Sequence, residues 1–305
     1  NGLRAIAVLS VVIFHFAEDA LPGGFVGVDV FFVISGYLMT SIIISKFDKR
    51  RFNLMDFYLA RVNRIIPALA FLCATLLLIG LLTLSPVEYS KLGKQAASSV
   101  LFLSNIIYYR DSGYFAESSL ENWLLHTWSL SVEWQFYLLY PVALLVLNRL
   151  LSRDKLKVAI VFATFLSLVL SAWLTPKNPS LSYYVLPTRA WEMLVGGLAF
   201  LYPIKIYEAL RKPLAVIGVI LILISCFVFS EKTRWPGISA LLPVAGAYLI
   251  IIANRNENIL LNNRLFQALG TWSYSIYLWH WPLVVFIYKN ELNEAFAIAG
   301  FILSI

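Results

Sequence analysis

The chain has 305 residues, of which 60% are hydrophobic and 13% are charged, and its mean hydropathy is +0.77. A soluble domain of this length could not bury so much apolar surface, so the composition excludes a soluble globular protein and predicts one surrounded mainly by lipid. The net charge of +7 does not indicate a nucleic-acid partner, because the basic residues lie mostly between apolar runs, where the positive-inside rule explains them.

Ten apolar runs follow one another along the chain, each approaching the ~20 residues that cross a ~30 Å hydrocarbon core. Backbone groups in lipid must be satisfied within their own segment, so each run is predicted to be a helix. The runs lie near residues 3–17, 25–44, 65–83, 96–109, 123–147, 158–174, 190–202, 214–229, 238–253 and 271–288, and an eleventh begins at Ala295.

The predicted fold class is therefore all-α, a polytopic integral membrane bundle of about ten transmembrane helices plus the start of an eleventh. We assign residues 1–290 to a single transmembrane domain and residues 291–305 to the start of a further span. Because the first run begins abruptly and the last stops in mid-span, we expect the sequence to be part of a longer chain.

The basic residues predict the orientation of the first spans. The segment 45–64 is rich in Lys and Arg, whereas the segment before the second run has none, so the N-terminus and residues 45–64 are expected in the cytoplasm. Strict alternation through all ten runs leaves no overall charge bias between the two sides. A re-entrant run at 96–109 would place an excess of basic residues in the cytoplasm, so charge counting favours that arrangement.

The first run carries two ionisable side chains, Arg4 and His15. Their spacing is about three helical turns, which puts both on one helix face roughly 16 Å apart. Ionisable groups inside spans are costly and point to function by default. A buried histidine is usually neutral and can accept a proton, so His15 is a candidate base, although a hydrogen-bonded core histidine would show the same pattern.

A second polar stripe lies in HTWSLSVEWQFYLLYP. His126, Ser129 and Glu133 follow i, i+3, i+7 on one helix face, and Tyr137 continues it. A carboxylate at this depth needs a proton, a cation or hydrogen-bond donors. Glu133 could orient or charge-balance a histidine on a facing helix, or the stripe could simply hold helices together through polar contacts.

A third stripe consists of Ser273, Tyr277 and His280, spaced i, i+4, i+7. The neighbouring tryptophans are typical of interfacial anchors, so we place His280 at the membrane surface.

Further charged residues lie near the starts of other spans. Asp29 is a carboxylate at the entrance of the second run. Arg189 and Glu192 are spaced i, i+3 and are expected to form a structural ion pair. No metal site is predicted.

The basic segment before the third run has a pattern of its own. Leu54 and Phe57 belong to an apolar face that predicts an amphipathic helix on the membrane surface, ended by Pro67. Arg61 and Arg64 lie on one side of this helix and could form a fork for phosphates. Ordinary positive-inside anchoring explains the same two residues.

A membrane histidine, a carboxylate stripe and a cytoplasmic arginine pair suit acyl transfer from an anionic carrier such as coenzyme A. The histidine would take the proton of an acceptor hydroxyl as that hydroxyl attacks the thioester carbonyl. A proton-coupled transporter also uses intramembrane His, Glu and Asp, and a non-catalytic membrane scaffold is a third possibility. Residue types alone do not distinguish an acyltransferase from a proton-coupled transporter.

Six blocks of the sequence resemble the acyltransferase-3 family of membrane O-acyltransferases, in order and over essentially the whole chain. They are LRAIAVLSVVIFH, PGGFVGVDVFFVISGYLMT, FYLARVNRIIPAL, HTWSLSVEWQFYLLYP, RAWEMLVGG and GTWSYSIYLWHWPL. The resemblance implies an O-acetyltransferase of the bacterial cytoplasmic (inner) membrane, with acetyl-CoA as acyl donor. The implied acceptor is a hydroxyl of a cell-surface glycan such as lipopolysaccharide O-antigen or peptidoglycan.

The resemblance also implies roles for individual residues. The family's Arg-x10-His pattern falls on Arg4 and His15, with His15 as the catalytic base, and its Arg-x-x-Arg pattern, implicated in acetyl-CoA use, falls on Arg61 and Arg64. We add Glu133 as a catalytic candidate. The remaining candidate site residues are Asp29, His126, Ser129, Tyr277 and His280, and the conceivable acyl carriers are Ser129, Tyr137 and Tyr277.

The form of the fourth block resembles the branch in which an additional span leads to an extracytoplasmic SGNH-hydrolase-like domain, and the run from Ala295 could be that span. The expected partners are membrane lipid, a glycan or lipid-linked glycan acceptor, and a fused domain of this type. The family's ten-span layout, with both ends inside, supports strict alternation, which we adopt against the charge distribution.

Overall fold

The computed structural model describes residues 1–112, 119–253, 263–292 and 299–302, and this part of the chain is all-helical. Its α-helices are α1 Gly2–Phe16, α2 Gly27–Asp48, α3 Leu54–Thr83, α4 Pro86–Val100, α5 Ser104–Asp111, α6 Thr127–Leu150, α7 Arg153–Leu174, α8 Pro179–Tyr184, α9 Leu186–Leu201, α10 Glu208–Val228, α11 Leu241–Ala253 and α12 Arg264–Lys289. Short 3₁₀ helices cover Glu18–Ala20, Gly24–Val26 and Ser119–Glu121.

Five of the described helices, α2, α3, α6, α7 and α10, are long and apolar enough to cross a membrane, and α1 and α11 are shorter apolar helices. Large apolar side chains face outward, among them Phe71, Leu82 and Phe162. In water such an apolar surface would promote aggregation, whereas in a bilayer it contacts lipid. The chain is thus a multi-pass helical membrane protein. Every predicted run except the fourth corresponds to one helix, and the run from Ala295 lies mostly outside the described residues.

The helix ends fall into two groups, which we name the arginine end and the histidine end after the side chains near them. At the arginine end, Arg153 binds Asp48 at 2.8 Å and joins the end of α2 to the start of α7. At the histidine end, Lys289 binds Glu88 at 2.7 Å and joins the end of α12 to the start of α4. This hydrogen bond from Lys289 is the main reason that the pKa of Glu88 falls to about 2.

The fourth predicted run is not one helix. The chain breaks between α4 and α5, where Phe102 has a φ of 55° and its carbonyl accepts a hydrogen bond from Gln135 Nε2 at 3.1 Å. Irregular backbone at membrane depth needs such partners. The pair begins beside Lys289 and ends at Ser112, which lines a cavity at the histidine end. The α4–α5 pair therefore returns to the end at which it starts, so strict alternation is wrong here.

The amphipathic surface helix predicted before Pro67 is not a separate helix, because it is continuous with the third span. Asn53 caps the helix start by accepting the backbone N–H of Met55 at 2.8 Å, and α3 then continues without a break to Thr83. Proline removes one backbone donor, and helices that span membranes tolerate this loss. Arg61 is therefore carried on the first turns of a long spanning helix.

Helices α2 and α9 pack with their backbones in contact. A Cβ at Gly36 would overlap the backbone carbonyl of Met193, and a Cβ at Gly196 would overlap that of Val33. Small residues permit this approach between membrane helices. The contact brings the first turn of α2 against α9, where several charged side chains are buried.

Candidate functional site

A cavity of about 100 Å³ opens near the arginine end, and we call it the arginine cavity. Arg4, Arg61 and Arg64 line it from α1 and α3, and Glu133 is the only carboxylate among its described lining residues. Arg64 is exposed, whereas Arg4 and Arg61 are half-buried, and Arg61 Nε has no hydrogen-bond partner within the described chain. Three guanidinium groups against one carboxylate make this cavity electropositive and suited to an anion.

Of the two interpretations that the sequence leaves open for Glu133, a histidine partner and polar contacts between helices, the structure shows the second. The Glu133 carboxylate accepts hydrogen bonds from the hydroxyls of Ser35 and Tyr137, the latter at 2.5 Å. Two hydroxyl donors fix the carboxylate orientation within the arginine cavity. Glu133 therefore offsets part of the arginine charge rather than orienting His15.

A larger cavity of about 700 Å³ lies toward the histidine end, and we call it the histidine cavity. His15 and His126 line it. Its remaining walls combine aromatic and polar side chains. The aromatic ones include Phe14, Phe25, Trp128, Tyr183, Tyr184, Trp235 and Trp281, and the polar ones include several serines together with Lys232 and Arg234. Carboxylates line it too: burial, together with the nearby charge of Glu18, raises the pKa of Glu231. Aromatic side chains that alternate with polar groups suit an organic ligand that carries hydroxyl groups.

All three histidines of the chain lie close together beside this cavity, which His15 and His126 line. His280 is fully buried, and its ring lies 5.2 Å from that of His15 and 5.7 Å from that of His126, measured between centroids. The predicted surface position of His280 is thus wrong, because the neighbouring tryptophan Trp281 turns inward and contacts His15 at 4.8 Å. Within the described residues no group of three or more His, Cys, Asp or Glu is arranged to hold a metal ion.

Hydrogen bonds assign the tautomers of His15 and His280. His280 Nδ1 lies 2.6 Å from the Tyr277 carbonyl, which can only accept, so this nitrogen carries a proton. In a neutral ring His280 Nε2 is then an acceptor, and His15 Nδ1 donates to it across 3.1 Å. His15 Nε2 is left as the unprotonated nitrogen. The arrangement gives His15 a lone pair with which to take a proton.

Tyr277 separates the two cavities and lines both of them, as does Val28. The Tyr277 hydroxyl donates to the His126 carbonyl at 2.9 Å and lies 2.6 Å from the hydroxyl of Ser129. The predicted stripe of α6 is therefore divided, with His126 at the histidine cavity and Glu133 at the arginine cavity. Of the three predicted catalytic residues, Arg4 and Glu133 share one cavity, and His15 lies in the other.

The predicted ion pair between Arg189 and Glu192 is present at 3.0 Å, and Asp29 joins it at 3.1 Å. All three side chains are essentially unexposed, and Trp235 Nε1 donates to Asp29 at 3.2 Å. Trp235 also lines the histidine cavity, as does Trp128, whose ring faces the Arg189 guanidinium. The buried cluster of Asp29, Arg189 and Glu192 thus contacts two of the tryptophans that line the histidine cavity.

Sequence reasoning missed Ser35, Tyr183 and Trp281 as site residues. Ser35 and Tyr183 carry no charge and follow no polar stripe, and Trp281 belongs to a group that resembles a membrane-interface anchor. Only their contacts with residues distant in the sequence distinguish these three side chains from ordinary residues of the spans. A serine beside a glycine within an apolar span was the available signal for Ser35.

These features define a multi-pass helical membrane protein with one polar cavity toward each end of the bundle. The chain belongs to the acyltransferase-3 family, whose acyltransferase-domain model matches residues 1–305. It is 34% identical to the peptidoglycan O-acetyltransferase OatA of Listeria monocytogenes, in an alignment that covers 93% of this chain and 49% of the relative.

Two further relatives are similar. The O-acetyltransferase OatA of Staphylococcus aureus is 31% identical, with 100% of this chain and 53% of the relative covered. The putative peptidoglycan O-acetyltransferase YrhL of Bacillus subtilis is 33% identical, with coverage of 93% and 48%. The chain thus spans about half the length of these relatives. No solved structure matches it.

Proposed function

We propose that this protein is an O-acetyltransferase of the bacterial cytoplasmic membrane, which moves an acetyl group from cytoplasmic acetyl-CoA to a hydroxyl of a cell-surface glycan. The observation that carries the proposal is the pair of cavities, one with three arginines and one with a free histidine lone pair, separated by Tyr277. Family membership and the names of the relatives support the acetyl group and a peptidoglycan acceptor.

The arginine cavity is the proposed donor site. A volume of about 100 Å³ is too small for a whole coenzyme A, so the nucleotide stays outside, near the exposed Arg64. The unpartnered Arg61 Nε offers a buried donor for a phosphate oxygen. The narrow acyl-bearing arm then points inward along Arg4 toward Tyr277, where the second cavity begins.

The histidine cavity is the proposed acceptor site, and His15 is the proposed base. An acceptor hydroxyl gives its proton to His15 Nε2, and its oxygen forms a bond to the thioester carbonyl carbon. The carbon–sulfur bond then breaks, and the coenzyme A thiolate leaves and takes up the proton. If a covalent acyl-enzyme intervenes, Ser129, Tyr137 and Tyr277 are the candidate carriers, and Ser129 and Tyr277 are hydrogen-bonded to each other beside the dividing wall.

The appended partner is also a proposal. We expect residues 291–305 to start a further span, and an SGNH-hydrolase-like domain beyond the chain to receive or deliver the acetyl group outside the membrane. Because α12 ends at the histidine end, this domain lies beyond an even number of further crossings. Because the chain spans about half of its relatives, their extra length leaves room for such a domain. Membrane lipid and a lipid-linked glycan are the other expected partners.

We propose a topology of nine crossings up to residue 289, with α4–α5 as a re-entrant hairpin and the arginine end in the cytoplasm. Cysteines introduced at Ser152 and Lys177 are then expected to be cytoplasmic and extracytoplasmic respectively, and strict alternation predicts the reverse. The measurement is labelling of intact cells with a membrane-impermeant maleimide, after both native cysteines are replaced. Cysteines at Lys49 and Asp19 are controls, because both topologies place them identically.

The double variant Arg61→Ala/Arg64→Ala tests the donor site. Loss of charge-assisted hydrogen bonds to phosphate is expected to raise the KM for acetyl-CoA roughly 10- to 100-fold with a smaller change in kcat. The assay is transfer of labelled acetyl groups by reconstituted protein. The matched control Lys49→Ala/Arg51→Ala removes two positive charges from the same segment without touching the cavity, and its KM should match wild type.

Two outcomes would contradict the proposal. An unchanged KM in the double variant would indicate that Arg61 and Arg64 only anchor this segment at the membrane surface. Substrate flux into liposomes in the absence of acetyl-CoA, with no acetyl transfer, would instead indicate a transporter.

A further inference from the structure

His126 is a buried polar side chain to which no role has yet been given. It precedes α6, it is 4% exposed, and it lines the histidine cavity. Neither ring nitrogen has a hydrogen-bond partner within the described chain, although the Leu278 carbonyl lies near the ring outside good hydrogen-bond geometry. A buried imidazole without partners is unfavourable, so its retention needs an explanation.

Three other ring N–H donors along this cavity are already engaged. Trp281 Nε1 donates to the Asn122 carbonyl at 2.8 Å, and Trp235 Nε1 donates to Asp29. His15 Nδ1 donates to His280. Among the described ring N–H groups that line the cavity, those of His126 and Trp128 therefore remain as donors for a ligand, and of these two His126 is the ring whose nitrogens are both buried without a partner.

His126 also lies at a suitable distance from the proposed base. His280 separates the two rings, and the centroid distances place His126 within about 11 Å of His15. A tetrahedral intermediate that bridges a base and an oxyanion donor, with hydrogen bonds of about 3 Å at each side, spans roughly 8 Å between the two nitrogens. This span lies within the upper bound of about 11 Å that the two centroid distances set, as a base and a donor shared by one acyl centre require.

We propose that His126 is a second catalytic residue, which donates a hydrogen bond to the carbonyl oxygen of the acyl group as that oxygen gains negative charge. The inference rests on the proposed function. His15 takes the proton of the acceptor hydroxyl, and the His126 proton stays on its nitrogen throughout. As the carbon–sulfur bond breaks, the oxygen again becomes a carbonyl, and the hydrogen bond weakens.

Paired variants in the acetyl-transfer assay test this role. His126→Leu removes the donor at similar size and is expected to lower kcat about 100- to 1000-fold while the KM for acetyl-CoA stays near wild type. His126→Gln retains an N–H donor and is expected to recover at least tenfold over the leucine variant. Equal loss in both variants, or wild-type kcat in the leucine variant, would overturn the proposal.

A second measurement covers the case in which His126→Leu fails to fold. In His126→Ala, added imidazole can enter from the adjoining cavity and is expected to restore kcat in a saturable manner, and no restoration would overturn the role. An inactive wild-type protein would reject the proposed function itself. With active wild type, the His126 variants test the present inference alone.

Discussion

Replacement of His15 by alanine is expected to abolish acetyl transfer while the protein still folds and inserts. General bases contribute about 10²- to 10⁴-fold to rate, and His15 supplies the unprotonated nitrogen of the histidine pair. The measurement is kcat with labelled acetyl-CoA in reconstituted vesicles. Because His15 lies outside the arginine cavity, the variant should still bind acetyl-CoA with near wild-type affinity.

The control for this experiment lies on the same helix. Leu9→Ala removes a half-buried apolar side chain of α1 that lines neither cavity, so it should lower stability slightly and leave kcat near wild type. Full activity in His15→Ala would show that His15 is not the general base. Loss of acetyl-CoA binding in that variant would show that His15 acts through structure, since the donor site is separate from it.

Relations within one helix could be predicted from the sequence because helix geometry alone determines them. Arg61 and Arg64 were expected to act together from their spacing, and both line the arginine cavity. The ion pair between Arg189 and Glu192 likewise follows from an i, i+3 separation. In such cases the residue types and the helical period determine the contact, whatever the rest of the fold does.

Contacts between helices could not be predicted in this way. His15 and His280 are 265 positions apart, and nothing in either segment specifies the other. The tryptophans near His280 pointed to a membrane surface, because an indole that anchors at an interface and one that packs in a core look alike in sequence. Asp29 was recognised as a carboxylate at the entrance of a span, but its partner Arg189 required the close packing of α2 and α9.

The α4–α5 hairpin shows why hydropathy missed a break. Residues 96–109 read as a continuous apolar run because the residues at the tip are Leu101, Phe102 and Leu103. The partner that makes the break possible, Gln135, is on α6. The distribution of Lys and Arg pointed to this hairpin correctly, since loop charge reflects which side a loop faces and does not depend on counting helices.

Replacement of Arg189 by methionine is expected to destabilise the protein by about 3–5 kcal/mol, because it leaves the carboxylates of Asp29 and Glu192 buried without their cation. The guanidinium is 1% exposed and also faces the rings of Phe32 and Trp128, so water cannot readily replace it. Thermal unfolding in detergent and the yield of folded protein are the measurements.

The matched control is Arg153→Met, which breaks the ion pair with Asp48 at the surface of the arginine end. Exposed pairs contribute about 0–1 kcal/mol, so this variant should unfold close to wild type. If excess buried negative charge causes the loss, the added substitution Glu192→Gln should restore part of the stability of Arg189→Met. No recovery would assign the loss to packing, since methionine leaves the aromatic faces around the guanidinium incompletely filled. Either way, the effect bears on the histidine cavity, because the ring of Trp128 forms one surface of both the cluster and that cavity.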